Sequence, residues 1–344
     1  MGEKIALLTP TFCHYSGIDR VVELQAKEFA KKGHKVTIFC LEASIKSKYA
    51  KVVEIGMPKS QIFERIYRLF MFLDFIKINK FSKMLKDYDI VISHFYPMNL
   101  IAKRAKKKYN IKYIYRDYGI ASSNLFNFYE ALYLKFFKIL VYNSVNNADE
   151  VVSISNYLSK VFYEESQIKP KVEYIPIDNN RFNKNVKVNS KIKNKYKYIK
   201  GPIFLYVGRI SPHKGIHLLI KVFNNIKQKL PDSYLLVIGK PTFNSYFKKL
   251  KKMSNKNIKF IGFVDDKDLP SYYALCDVYT TCTLWEGYDM PIAEAQACGK
   301  PVVCFDIGPH KEVLKNGKLV KVKDVLDISE KEICDFADKV RVVL

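Results

Sequence analysis

The sequence predicts an α/β protein built as two doubly wound parallel-sheet domains in tandem. Three observations carry that expectation. Short runs of Val, Ile, Leu and Tyr alternate with helical patterns along the chain, as in a parallel sheet covered on both faces. The alternation breaks once, at a polar, Asn- and Lys-rich segment over 178–202, and then begins again. The 344 residues exceed one ordinary core, and 48% hydrophobic content is enough to fill two.

In the first half, KIALLTP (4–10) reads as a buried strand. A loop with Ser16 and Gly17 follows, then a helix over about 19–32 that ends at Gly33. Further strands are expected at 35–40, 89–95, 112–116, 150–155 and 172–177. The second half places strands at 202–209, 233–239, 258–263, 277–282 and 301–306, with helices at about 215–230, 246–253, 269–276 and 291–298. The 215–230 helix sets Leu218, Leu219, Val222, Phe223 and Ile226 on one stripe. The expected division is a first domain over 1–180, a linker over 181–201 and a second domain over 202–344. In such sheets ligands bind beyond the carboxyl ends of strands, so two facing domains put a site in the cleft.

The net charge is +24, and residues 1–200 carry 36 Lys and Arg against 18 Asp and Glu. That excess suits an anionic partner: nucleic acid, a membrane surface or a phosphorylated small molecule. Lysines that only solvate the surface account for it equally. The seven cysteines include no C-x-x-C and lie mostly in apolar runs, so they read as small buried hydrophobes rather than a disulfide frame or zinc site. The N-terminus reads as a strand, not a signal peptide. Ala6 stands where a myristoylation pattern needs Ser or Thr, and no apolar run reaches spanning length.

Two stretches carry chemistry. In LWEGYDMPIAEAQACGKPVV (284–303), Glu286 and Glu294 stand with seven residues between them. Pro291 suits a first helical turn and Gly299 a helix end, so the glutamates bracket one helix start. Such a start attracts phosphate, and an ionised carboxylate accepts hydrogen bonds from neighbouring sugar hydroxyls. The spacing alone also fits an ordinary helix start with acidic caps. In LYVGRISPHKGIHLLI (205–220), Arg209 and Lys214 flank a turn at a strand's carboxyl end. Two cations there would neutralise a diphosphate. A divalent metal often fills that role, but the D-x-D of Asp87 and Asp89 lies where a helix hands over to a strand, so no metal or other cofactor is expected.

Together VGRISPHKGIHLLI and EGYDMPIAEAQACGKPVV resemble the donor-binding motifs of GT-B glycosyltransferases of family 4, the retaining, metal-independent group. SGIDRVVELQA (16–26), VVSISNYL (151–158) with YIPIDNNRF (174–182), and the stretch 258–287 resemble further family elements. The resemblance implies two Rossmann-like domains and transfer of a sugar, a hexose by type, from a nucleotide-diphosphate sugar to a hydroxyl acceptor. It implies that Arg209 and Lys214 hold the diphosphate and that Glu294 accepts from the ribose. Glu286 would contact the transferred sugar. Backbone at Gly287, Tyr288, Asp289 and Met290 would touch phosphate and sugar, Gly17 would close over the phosphates, and backbone near Phe263 and Val264 would read the base.

The chain departs from the family at several points. Asp289 replaces a usual glycine, a change that bears on which sugar hydroxyl is read. The first loop has one glycine where two are common. Arg116 and Asp117 stand where many members carry a histidine, which leaves His94 as the histidine expected among the catalytic residues, against a plain strand-end role. Members generally continue past this C-terminus through further helices, so the chain reads as either short or incomplete.

On the acceptor side, 61–81 and 123–142 combine bulky apolar residues with Lys and Arg, and 103–108 is a basic run. Such helices lie in a bilayer interface or simply cover the sheet. The expected setting is cytoplasmic, peripheral on the inner face of an anionic membrane, with a glycan or lipid-linked acceptor and no nucleic-acid partner. The alternatives are a sugar-nucleotide epimerase or phosphorylase of the same fold, and a non-enzymatic binder of nucleic acid or membrane.

Overall fold

The computed structural model describes residues 2–13, 17–125 and 128–344, without the side chains of Gln61, Ile62, Arg65 and Ser123. Ser16 and His14 lie outside the described residues. The chain forms two compact units, Met1–Pro176 and Ile177–Leu344.

The first unit runs β1 (Lys4–Phe12), α1 (Gly17–Lys31), β2 (Lys35–Ala43), β3 (Lys51–Glu54), α2 (Gln61–Phe70), α3 (Phe75–Met84), β4 (Ile90–Ser93), α4 (Met98–Tyr109), β5 (Lys112–Asp117), α5 (Phe128–Val145), β6 (Glu150–Ser153), α6 (Asn156–Ser166) and β7 (Lys171–Val172). Its sheet has the order β3-β2-β1-β4-β5-β6-β7. All pairings are parallel, with Leu7 opposite both Ile38 and Ile92. Strand β1 is central, and its period of two feeds two cores. Ala6 and Leu8 pack with Ile101 and Ala102 of α4. Ile5 and Leu7 pack with Val22 and Ala26 of α1.

The second unit runs α7 (Ser190–Lys195), β8 (Ile203–Val207), α8 (Ile216–Lys229), β9 (Tyr234–Ile238), α9 (Asn244–Met253), β10 (Ile258–Gly262), α10 (Leu269–Leu275), β11 (Val278–Thr281), α11 (Met290–Ala297), β12 (Val302–Phe305), α12 (His310–Val313), β13 (Gly317–Val320) and α13 (Glu330–Val343). The order is β10-β9-β8-β11-β12-β13, again all parallel. Phe204 and Tyr206 of β8 pack against Phe223 of α8 and Phe336 of α13. Leu205 faces the other way, onto Tyr273 of α10 and Ile292 of α11.

Both sheets are the doubly wound, Rossmann-like layers expected. The segment 181–201, expected as a linker, forms α7 and buries Phe182, Ile192 and Tyr196 in the second unit's core. Its apolar residues are few, but Ile192 and Tyr196 sit one helical turn apart and share a face. Strand β7 covers two residues rather than the six expected. Asp89 accepts from the Lys4 backbone N–H at 2.7 Å, and so serves strand and turn geometry. Among the described residues all seven cysteines are free, and six are buried.

Candidate functional site

Each sheet has one place where its winding reverses. Successive strands step one way from β8 to β10 and the other way from β11 to β13, so the reversal lies between β8 and β11. Open α/β sheets bind ligands beyond the carboxyl ends of the strands at that point. The loop after β8 carries Arg209 and Lys214, and the loop after β11 carries Glu286.

The two loops are tied together. The Leu284 N–H donates to the His213 carbonyl at 2.8 Å. Gly215, with φ +63, caps the short 3-10 turn Pro212–Lys214 and lies so close to the Cys282 carbonyl that a Cβ there would overlap it. Tyr206 donates to the Arg209 carbonyl at 3.1 Å. This scaffold aims Lys214, 8% exposed, at Glu286, and its Nζ contacts Oε1. The other carboxylate oxygen of Glu286 accepts from the Gly287 N–H at 3.3 Å.

Burial pulls the Lys214 amine down to about 8; Asp289 opposes that shift and Arg209 adds to it. The contact with Glu286 favours the charged form. Arg209 itself is exposed, and so available to a ligand. His213 is pushed down to about 3 by burial, then by Lys214 and Arg209. It is a neutral neighbour of the two cations.

Helix α11 follows the same loop. Glu294 is 1% exposed and accepts from the Tyr273 hydroxyl at 2.8 Å. Tyr288 and Val264 are half-buried against the core that holds Ile292. Met290 opens the helix, half-buried. Asp289 at the N-cap is buried with φ +62 and faces His310 rather than solvent. The ring of Phe263, just past β10, is about half exposed, with the Lys240 ammonium 4.8 Å from its centroid. The second D-x-D of the sequence, Asp266 and Asp268, is structural: Arg181 pairs with Asp266 at 2.7 Å and Asn189 donates to Asp268 at 3.1 Å.

In the first unit the reversal lies between β1 and β4. Gly17 opens α1 just past β1 and is exposed. His94 follows β4, and its backbone N–H donates to the Leu8 carbonyl at 2.8 Å. Expected among the catalytic residues, it has no exposed surface; burial and then Arg116 push its imidazole well below the usual range. Its Nδ1 lies 2.8 Å from the Tyr118 hydroxyl, and its Nε2 meets no partner among the described residues. At the end of the neighbouring strand β5, Asp117 accepts from the Gly119 N–H and the Ser153 hydroxyl, and burial raises it to about 6. Arg116 pairs with Glu173 at 2.9 Å. Motif reading missed four of these partners: Tyr118 and Arg116 around His94, Tyr273 beneath Glu294, and His310 beneath Asp289. Tyr118 directly follows the strand that ends in Arg116 and Asp117, and that strand-end position is the one signal the sequence offers.

The comparisons with known proteins bear on the family and the fold. A family model described as "Glycosyltransferase Family 4" matches residues 15–177, and one described as "Glycosyl transferases group 1" matches residues 188–336. The chain is 27% identical over 194 residues to Spore coat protein SA of Bacillus subtilis, covering 51% of each chain. It is 26% identical over 197 residues to the GDP-mannose-dependent alpha-(1-6)-phosphatidylinositol monomannoside mannosyltransferase of Mycolicibacterium smegmatis, covering 53% of this chain and 51% of the relative. The chain thus spans about half the length of these curated relatives. Among solved structures it resembles Anabaena Alr3699/HepE in complex with UDP and glucose, with TM-score 0.74 and 18% identity over 99% of this chain and 94% of that one.

Proposed function

The chain belongs to the GT-B glycosyltransferases of the family 4 type, and from that premise we propose that it moves a sugar from a nucleotide-diphosphate sugar to a hydroxyl acceptor with retained configuration. The observation that carries the proposal is the meeting of Lys214 and Glu286 at the β8/β11 reversal. A cation and an acid held together there can grip, respectively, a diphosphate and the sugar attached to it.

In this reading Arg209 and Lys214 neutralise the leaving diphosphate, and the start of α11 adds its free N–H groups. Metal-free neutralisation is part of the proposal. Glu286 contacts the transferred sugar once the diphosphate draws Lys214 away. Glu294, oriented by Tyr273, accepts from the ribose hydroxyls. The exposed face of Phe263 flanks the base, with backbone at Val264 reading its edge. His94 acts through Tyr118 rather than by direct contact. The protein's contribution is orientation and charge.

The acceptor we propose is a glycan or lipid-linked saccharide at an anionic membrane. Supporting it are Phe63 near the start of α2, Phe75 and Ile76 at the start of α3, and Phe128, Tyr129 and Leu132 on α5, all well exposed. The Phe70 and Phe136 rings, 6.3 Å apart, join the two patches into one face. Lys80 and Lys135 lie exposed on the same helices. A face both apolar and basic fits a bilayer interface. Among the described residues no helix is long and apolar enough to cross a membrane.

The test is incubation with UDP-, GDP- and ADP-sugars and bacterial lipid extract, with NMR of the product's anomeric carbon. Nucleoside diphosphate release with a retained anomer is expected. Release with an inverted anomer contradicts the mechanism, and a 2-epimer formed without acceptor favours the epimerase.

A further inference from the structure

Asp289 puts a carboxylate at the start of α11, where the function proposed above needs an anion to bind. The side chain makes no capping bond to its own helix. Its Oδ2 lies 3.1 Å from Nε2 of His310, a ring with no exposed surface at the start of α12. The other ring nitrogen, Nδ1, lies 2.7 Å from the Phe305 carbonyl oxygen. A carbonyl can only accept, so Nδ1 carries a hydrogen. The hydrogen between Nε2 and the carboxylate makes the pair neutral as a unit. Burial works against a charged imidazole, yet Cys304 and Asp289 outweigh it and raise the ring to about 10. The Asp289 carboxylate, hydrogen-bonded to the ring, favours its charged form.

A second observation ties the pair to the donor site. Asp289 stands three residues after Glu286, the carboxylate that Lys214 contacts, and directly before the first turn of α11, and its charge favours the charged form of the Lys214 amine. A bare carboxylate here would compete with a diphosphate for Lys214. Position 289 also holds a left-handed φ, uncommon for a residue other than glycine and adopted more readily by Asp and Asn than by the rest.

We propose that His310 is a positioning residue of the donor site: as an imidazolium it neutralises Asp289, holds it in the left-handed N-cap conformation, and so leaves Lys214 and the start of α11 free to take a diphosphate. This rests on the donor-site reading above. The pair replaces what a glycine does by having no side chain. An acid is admitted to an anion site because a buried cation accompanies it.

The experiment uses the full chain. First, nitrogen-15 NMR of histidine-labelled protein at pH 7 reads the His310 ring without any nucleotide. Hydrogens on both ring nitrogens are expected, and a bare Nε2 overturns the proposal. Second, calorimetry with UDP, GDP and ADP finds which nucleoside diphosphate binds. His310→Gln should weaken that binding at least about tenfold, and Asp289→Asn/His310→Gln should recover most of the loss, because the lone carboxylate is gone. A double variant as weak as His310→Gln overturns the proposal and leaves a merely structural role for the ring. If none of the three diphosphates binds the wild type, the donor-site reading fails, while the NMR result still decides the protonation of the pair.

Discussion

Replacing Lys214 by methionine separates catalysis from stability. Methionine keeps most of the volume and the unbranched stem but removes the charge. The loss on the ligand side is a charge-assisted hydrogen bond to a phosphate oxygen, about 1.5–3 kcal/mol, or about 10- to 150-fold in donor binding. If the bond strengthens as the diphosphate leaves, kcat/KM falls by about 10²–10³, as for an oxyanion donor. On the stability side two terms oppose. Holding the amine charged where burial draws it to about 8 from an ordinary 10.5 costs roughly 3 kcal/mol, and methionine removes that cost. Glu286 loses its partner, which costs about 3–5 kcal/mol for a fully buried pair and less here, because its side chain is 22% exposed. The two nearly cancel, so the thermal midpoint should move by about 5 °C or less. The assay is diphosphate release from the sugar nucleotide that the wild type turns over, with a melting curve on the same samples. A kcat/KM within threefold of wild type refutes the clamp. A collapse of the midpoint by tens of degrees refutes the energetic reasoning.

Gly215→Ala should cost activity and stability together, because its φ of +63 and the Cys282 carbonyl both exclude a Cβ; melting and turnover that are both unchanged contradict the fit. Raising pH should weaken donor binding above about 8, where Lys214 loses its proton. Over the window from 8 to 10.5 the folded chain holds fewer protons at Lys214 than the unfolded chain, so this residue's share of stability rises as binding falls. Binding constants that stay flat across that window, with the nucleotide's own ionisation allowed for, contradict the assignment. Phe75→Ser/Ile76→Glu should lower flotation with vesicles rich in anionic lipid by tenfold or more, since burying a large apolar side chain contributes about 1.5–3 kcal/mol. Turnover of a soluble acceptor should be spared, and unchanged flotation removes the membrane reading.

The sheet strands were readable because both faces are covered, which leaves apolar runs such as IFLYV and YLLVI. β3 and β13 were not read as strands: KVVE and GKLV are short and largely uncovered, so they lack that signature. Helix α13, absent from the expected elements, carries a legible helical signature. Ser329 and Glu332 form a capping box, and Ile333, Phe336, Ala337 and Val340 keep helical spacing. At the site, Arg209, Lys214, Glu286 and Glu294 stand out in local sequence, because a strand end, a turn and a helix start are local features. Their partners do not. Tyr273 reaches Glu294, and His310 reaches Asp289, only because β11 and β12 lie side by side in the sheet and bring the α10 and α12 helices to α11. His94 is legible as a residue to watch, but its full burial and its contact with Tyr118 come from packing and cannot be seen in spacing.

The most direct measurement is calorimetric comparison of a nucleoside diphosphate with its monophosphate, for UDP and UMP, GDP and GMP, and ADP and AMP. Wild type should bind one diphosphate at least about tenfold more tightly than its monophosphate. Arg209→Ala, an exposed change that leaves the core alone, should erase most of that preference. Equal affinity for the two forms in the wild type, or a preference that survives both Arg209→Ala and Lys214→Met, would contradict the account.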